Sequence, residues 1–313
     1  MKAFIQKVPV PICGVVLGLA ALGNLLQSYS ATVRSVCGIL AGLLLILFLL
    51  KCIAFPKKIW EDMSNPIMAS VACTLPMALM LLSTYIKPLA GTAALVVWYF
   101  AIALHVAMIV YFTVKFAVKL DLTKVFASYF IVYVGIVVAS VTAPAYGKET
   151  LGTVAFWFGF VCLLALLVLV TLRYVKCRKV PVPAKPLICI YAAPASLCVV
   201  GYIQSVTPKS FPFLIAMYAV ACVIYVFALV KAVSYWRLPF YPSYAAYTFP
   251  LVISAIASKQ TMACAEKLSY PMPWLKTVVL VQTVLAVLLV AYTLVRYIMF
   301  LVSNPKHSNA TAR

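Results

Sequence analysis

The side chains that most often do chemistry are scarce in this chain and poorly spaced for it. Its 313 residues include five carboxylates, Glu61, Asp62, Asp121, Glu149 and Glu266, and two histidines, His105 and His307. The acids all fall in loops or near the ends of apolar stretches. No HExxH or GxSxG string marks a zinc hydrolase or a serine nucleophile. Ten cysteines are scattered singly, with no CxxC pair and no histidine cluster beside them. Such cysteines are expected to pack as small apolar residues, so neither a metal, a cofactor nor a disulfide framework is predicted. Enzymatic activity is not expected. What remains for chemistry is a set of hydroxyls close to prolines and glycines, and the elements that hold them decide what they can do.

Those elements are membrane helices. Hydrophobic residues make up 66% of the chain, charged residues 10%, and the mean hydropathy is +1.11, outside the range of water-soluble domains. Cutting the sequence at its charges leaves ten apolar stretches, at 8–33, 35–50, 63–86, 88–114, 125–147, 150–172, 186–208, 210–230, 238–258 and 277–295. Most reach the roughly 20 residues needed to cross a bilayer. The short second stretch is extended by the snorkelling stem of Lys51. The fold class predicted is an all-α integral membrane protein of ten spans, forming a single transmembrane domain over 1–313.

Charge sorts by side. With the N-terminus placed in the cytoplasm, 18 of the 25 Lys and Arg residues fall on that side, including Lys306 and Arg313. The other seven, Arg34, Lys87, Lys148, Lys209, Lys259, Lys267 and Lys276, fall on the opposite one. This asymmetry fits the positive-inside rule with both termini cytoplasmic and a plasma or inner membrane location. The net charge of +20 is therefore a topology signal and does not point to nucleic acid. Both mouths of any pathway would be net positive, which favours anions.

A repeat runs through the odd-numbered spans. Each carries a central helix breaker, Gly14, Pro76, Gly135, Pro194 or Pro250, and these stand 62, 59, 59 and 56 residues apart. The even-numbered spans are Leu- and Val-rich and have no central proline. Each unit is thus one broken and one continuous helix, with approximate limits 8–58, 63–119, 125–179, 186–237 and 238–302. A unit that crosses twice always starts on the same side, so the five are parallel repeats able to close into a ring. Backbone freed at a break is tolerated in a membrane only where protein or a water-filled cavity meets it. The broken helices are therefore expected inside, around a central pore.

That pore would be neutral. No Asp, Glu, Lys or Arg falls in the central part of a broken span, and an intramembrane charge would usually mark an ion or proton site. Thr74, Ser140, Ser196, Thr248 and Ser254, with Thr142, are the hydroxyls able to meet a passing ion weakly, as conduction requires. The alternative for each is helix packing or bonding back to a carbonyl one turn earlier. His105, on the fourth span, is the one ionisable side chain deep in a span, and reads as a packed residue before a proton relay. Trp98 and the other four tryptophans suit interfacial anchoring or lipid contact.

Four strings, CGVVLGLAALGNLL, TLPMALML, APASLCV and PSYAAYTFPLVISA, together resemble the tellurite-resistance/dicarboxylate transporter family over about residues 8–302. This family includes bacterial tellurite-resistance proteins, yeast malate and sulfite permeases and plant slow-type anion channels. The resemblance implies five helical hairpins around a pore, a homotrimer with one pore per subunit, and occlusion by a phenylalanine of the ninth helix. By its place in the motif that residue is Phe249. The family pattern often has Gly after this Phe where the present chain has Pro250, a difference that bears on how freely the ring moves. The expected function is a passive anion channel for small inorganic anions or dicarboxylates. A proton-coupled carrier for dicarboxylates, sulfite or tellurite-related oxyanions is the alternative.

Overall fold

The computed structural model describes residues 2–303; the charges of Lys306 and Arg313 and the extreme chain ends lie outside the described residues. Among the described residues all regular structure is helical. The helices are α1 (Lys2–Lys7), α2 (Ile12–Leu26), α3 (Ala31–Ala54), α4 (Pro56–Asp62), α5 (Pro66–Ala72), α6 (Thr74–Ile86) and α7 (Gly91–Phe112), then α8 (Tyr129–Tyr133), α9 (Val137–Thr142) and α10 (Glu149–Lys176). They are followed by α11 (Ala192–Ser205), α12 (Phe211–Ser234), α13 (Phe249–Lys267) and α14 (Leu275–Val302). Tighter 3₁₀ turns precede α11 and α13, at Val182–Tyr191 and Pro242–Tyr247.

Seven segments are long and apolar enough to cross a membrane as they stand: 31–54, 66–86, 91–117, 149–176, 182–205, 211–234 and 275–302. Three of the ten expected stretches do not qualify alone. The first is reduced to the 15 residues of α2, and the fifth is divided between α8 and α9. In the ninth, α13 carries Lys259, Glu266 and Lys267 within its 19 residues.

Burial divides the helices into two classes. In the 182–205 segment 94% of the apolar window is buried, against 22% in 31–54 and in 91–117. The continuous helices α3, α7, α10, α12 and α14 thus turn apolar side chains outward, as a lipid-facing surface must, while the interrupted segments form the core. Contacts follow the same division. Each of α2, α6, α9, α11 and α13 packs on the continuous helix that follows it in sequence. The inner helices also touch one another in the order α2, α6, α9, α11, α13 and back to α2, a closed cycle.

The interruptions have a common physical form. Pro76, Pro194 and Pro250 lie in the first turn of α6, α11 and α13, where a missing N–H removes no helical hydrogen bond and a fixed φ suits the helix start. Gly135 lies in the turn between α8 and α9. In the first segment the interruption falls at Val8–Pro11, because Pro9 and Pro11 supply the break; Gly14, the expected breaker, sits inside α2. Freed carbonyls find side-chain partners nearby. Lys51 Nζ donates to Val8 O at 2.6 Å, so this lysine folds inward to the break instead of snorkelling outward. His105 Nε2 lies 2.9 Å from Val132 O.

Candidate pore and its gate

Two cavities lie along the middle of the inner helices. The narrower leaves about 50 Å³ for water and is lined from the starts of those helices, by Gly14, Thr74, Gly135, Pro194 and Pro250 among others. The wider, about 390 Å³, is lined from their later turns, including Asn24, Leu81, Thr142, Gln204 and Gln260. Among the described residues only two line both, Leu197 and Phe249. Both are buried, Leu197 at 2% and Phe249 at 6% exposure, so two apolar side chains stand where the cavities meet.

The seat of Phe249 is built by residues around it. Thr248 Oγ1 shares its single proton between Ala245 O at 2.7 Å and Gly14 O at 3.0 Å, tying the backbone just before the ring to α2. Gly18 makes that approach possible. A Cβ there would meet Thr248 Cβ at 2.5 Å, Thr248 Oγ1 at 2.6 Å and the Phe249 nitrogen at 3.0 Å. Gly135 has a comparable role at the third break, where a Cβ would come within 2.2 Å of Ile131 O and 2.9 Å of the His105 ring.

The electrostatics of the two cavities differ. Among the described residues no ionisable side chain lines the narrow one. In the wide one the guanidinium of Arg34 is the single charge, donating to Asn24 Oδ1 at 3.2 Å and to Thr84 O at 3.4 Å, and stacking 4.2 Å over the Tyr85 ring. No Asp, Glu, Lys or His among the described residues lines either cavity. Nor do the described residues contain a cluster of three side chains able to hold a metal ion.

The profile of the voltage-dependent anion channel family matches residues 7–298. The chain belongs to this family. It is the tellurite-resistance/dicarboxylate transporter family whose motifs the sequence carries, and membership makes anion transport across a membrane its functional class. No individual curated protein matches the chain.

Set against the two cavities, the expected hydroxyls separate into two groups. Thr74 lines the narrow cavity while also donating to Val71 O at 2.7 Å. Thr142 lines the wide one. The others join helices to one another: Ser140 Oγ donates to Gly152 O at 2.5 Å, and Ser196 and Ser254 meet oxygen to oxygen at 2.9 Å between α11 and α13. Ser254 also donates to Pro250 O at 2.9 Å, and Thr248 bonds α2 as described. These four contribute interhelical polar contacts, a common use of small hydroxyls in membrane bundles. Pro76 does not line either cavity; its neighbours Thr74 and Met77 do.

Trp98 is also placed differently from its expected interfacial role. It is fully buried and donates its indole N–H to Thr142 Oγ1 at 2.7 Å, bracing that hydroxyl from α7. His105 is likewise fully buried. Its partner, a carbonyl, only accepts, so Nε2 carries the proton, and the ring serves as a cap on the third break. The polar lining that sequence reasoning missed is Arg34, Asn24, Gln27, Thr84, Gln204 and Gln260 in the wide cavity and Ser243 in the narrow one. Arg34 had been counted as a loop cation, and the amides carry no charge by which to pick them out.

Proposed function

We propose that this protein is a passive anion channel in which ten membrane-crossing helices, five parallel hairpins in a ring, surround a pathway through both cavities. Phe249, with Leu197 beside it, closes that pathway, and the inner-helix starts face the cytoplasm of a plasma or inner membrane. The observation that carries this reading is the shared lining: these two side chains alone border both cavities. The closed contact cycle of α2, α6, α9, α11 and α13 supports the ring. On this reading each chain encloses its own pathway, and the homotrimer that belongs to it would hold three independent pores.

Anion preference follows from the fixed charges. The first turns of α2, α6, α11 and α13 contribute Gly14, Thr74, Ala193, Pro194, Phe249 and Pro250 to the narrow cavity. Each helix start carries the equivalent of about +0.5 charge. Arg34 adds a full positive charge on the far side of the ring. No carboxylate among the lining residues opposes them, and none is present to trap a cation.

The absence of a titratable carboxylate, histidine or lysine from both linings favours channel over proton-coupled carrier, since coupling needs a group that binds and releases the proton along the pathway. Reconstituted protein under a chloride gradient is expected to reverse near the chloride equilibrium potential at any pH between 5 and 8. Uphill malate or sulfite uptake driven by a pH gradient would establish the carrier instead.

A further inference from the structure

A third cavity, about 330 Å³, lies between the later turns of α11 and α13. Its lining includes Gln204 and Gln260, which also line the wide cavity, so this amide pair is the partition between the two. Gln204 Nε2 donates to Gln260 Oε1 at 3.1 Å. Neither amide has another side-chain or backbone partner among the described residues. That leaves the second N–H of Gln204 and both N–H groups of Gln260 free, and exchanging the two amide orientations leaves the same number of donors. Two ammonium groups, Lys209 and Lys267, join the amides in a lining otherwise made of Ile203, Ala263, Cys264 and Leu268. Lys209 bonds Val206 O at 3.0 Å, which uses one of its three donors, and neither lysine has a carboxylate within ion-pair distance among the described residues. Glu266 precedes Lys267 but does not line the cavity.

We infer that this side cavity is a second anion site: a small inorganic anion such as chloride or bromide is held by Lys209, Lys267 and the free amide donors of Gln260, and exchanges with the wide cavity by parting the Gln204–Gln260 bond. This deepens the anion-pathway reading and rests on it for the exchange step. Donors without carboxylates suit a weakly hydrated anion and offer a cation nothing but two neutral amide oxygens and backbone carbonyls. A neutral hydrogen bond between two half-buried amides is a weak enough latch to open thermally, at about 0.5 to 1.5 kcal/mol net. Through this cavity anions would collect beside the main pathway under the field of two lysines, and the amides would choose which ions pass inward.

The test uses the full-length protein and bromide. Crystals grown in bromide are expected to show an anomalous peak in the side cavity within hydrogen-bond reach of the Gln260 amide. In solution, bromide titrated against gluconate at fixed ionic strength should raise the melting temperature with a saturable dependence. In the double variant Lys209→Gln, Lys267→Gln the half-saturating bromide concentration should rise by about tenfold or more, the lower end of what a charged cleft adds to local counter-ion concentration. Gln260→Leu should weaken binding likewise, and Lys267→Arg should preserve it. No peak in this cavity, or an unchanged half-saturation in both weakening variants that still elute as the parent does, overturns the site. A peak without anion current through opened channels would leave the site standing and remove the pathway reading; current without a peak would do the reverse.

Discussion

Gly18→Ala tests the seat of the proposed gate without touching the ring. The added Cβ would stand 2.5 Å from Thr248 Cβ and 3.0 Å from the Phe249 nitrogen, far inside van der Waals contact. Neither neighbour is the free end of a flexible side chain: Thr248 is β-branched and held by Gly14 O and Ala245 O. Relief must therefore come from moving Thr248–Phe249 away from α2. Overpacking of this kind costs about 1 to 3 kcal/mol, and the displacement unseats the ring, so the variant should melt lower and leak more anion than the parent. Removing the opposing Cβ and Oγ1 with Thr248→Gly should recover part of the loss, giving a coupling of about 0.5 to 3 kcal/mol in a double-mutant cycle. Thermal unfolding in detergent and macroscopic chloride current in liposomes read the two effects. If Gly18→Ala melts and conducts as the parent does, or if its effect simply adds to that of Thr248→Gly, then α2 does not set the seat of Phe249.

Other positions give separate expectations. Arg34→Gln should reduce chloride conductance at low ionic strength and converge on the parent above about 1 M salt, where the screening length falls to about 3 Å; the current ratio across a salt series checks this. Replacing His105 with Leu leaves the Val132 carbonyl unpaired and should lower stability by about 1 to 3 kcal/mol, while the pH dependence of flux stays flat, because His105 lines neither cavity. Pro250→Gly frees the backbone at the start of α13 and should raise the open fraction in single-channel records without changing the reversal potential.

The sequence made the membrane class and the inner-versus-outer division legible, because both follow from where apolar runs and helix breakers fall. Gly135, Pro194 and Pro250 could be read directly, since proline and glycine act on their own backbone. The exact site of the first break could not: Pro9, Pro11 and Gly14 stand within six residues, and the interruption falls at Val8–Pro11 with Gly14 in the first turn of α2. Phe249 was legible only through its motif, whereas Leu197, an ordinary apolar residue among dozens, became visible when the two cavities met at it. Ser196 and Ser254 looked like lining residues and instead bond each other. A hydroxyl pattern does not say on which side of an inner helix the neighbouring helix lies. Arg34 was hidden for the same reason: its charge identified a membrane end, and only packing beside Asn24 and Thr84 turns it into the cavity's wall.

The most direct measurement is single-channel recording of purified Phe249→Ala beside the parent in planar bilayers with asymmetric chloride. Phe→Ala at a buried site costs about 3 to 5 kcal/mol in well-packed cores, so an unchanged gel-filtration profile must accompany the recording. A ring that divides the two cavities predicts that its removal joins them: the parent is nearly silent, and the variant shows large anion-selective currents reversing near the chloride equilibrium potential. A properly assembled Phe249→Ala protein as silent as the parent would contradict the gate, and with it the pathway through the ring of inner helices.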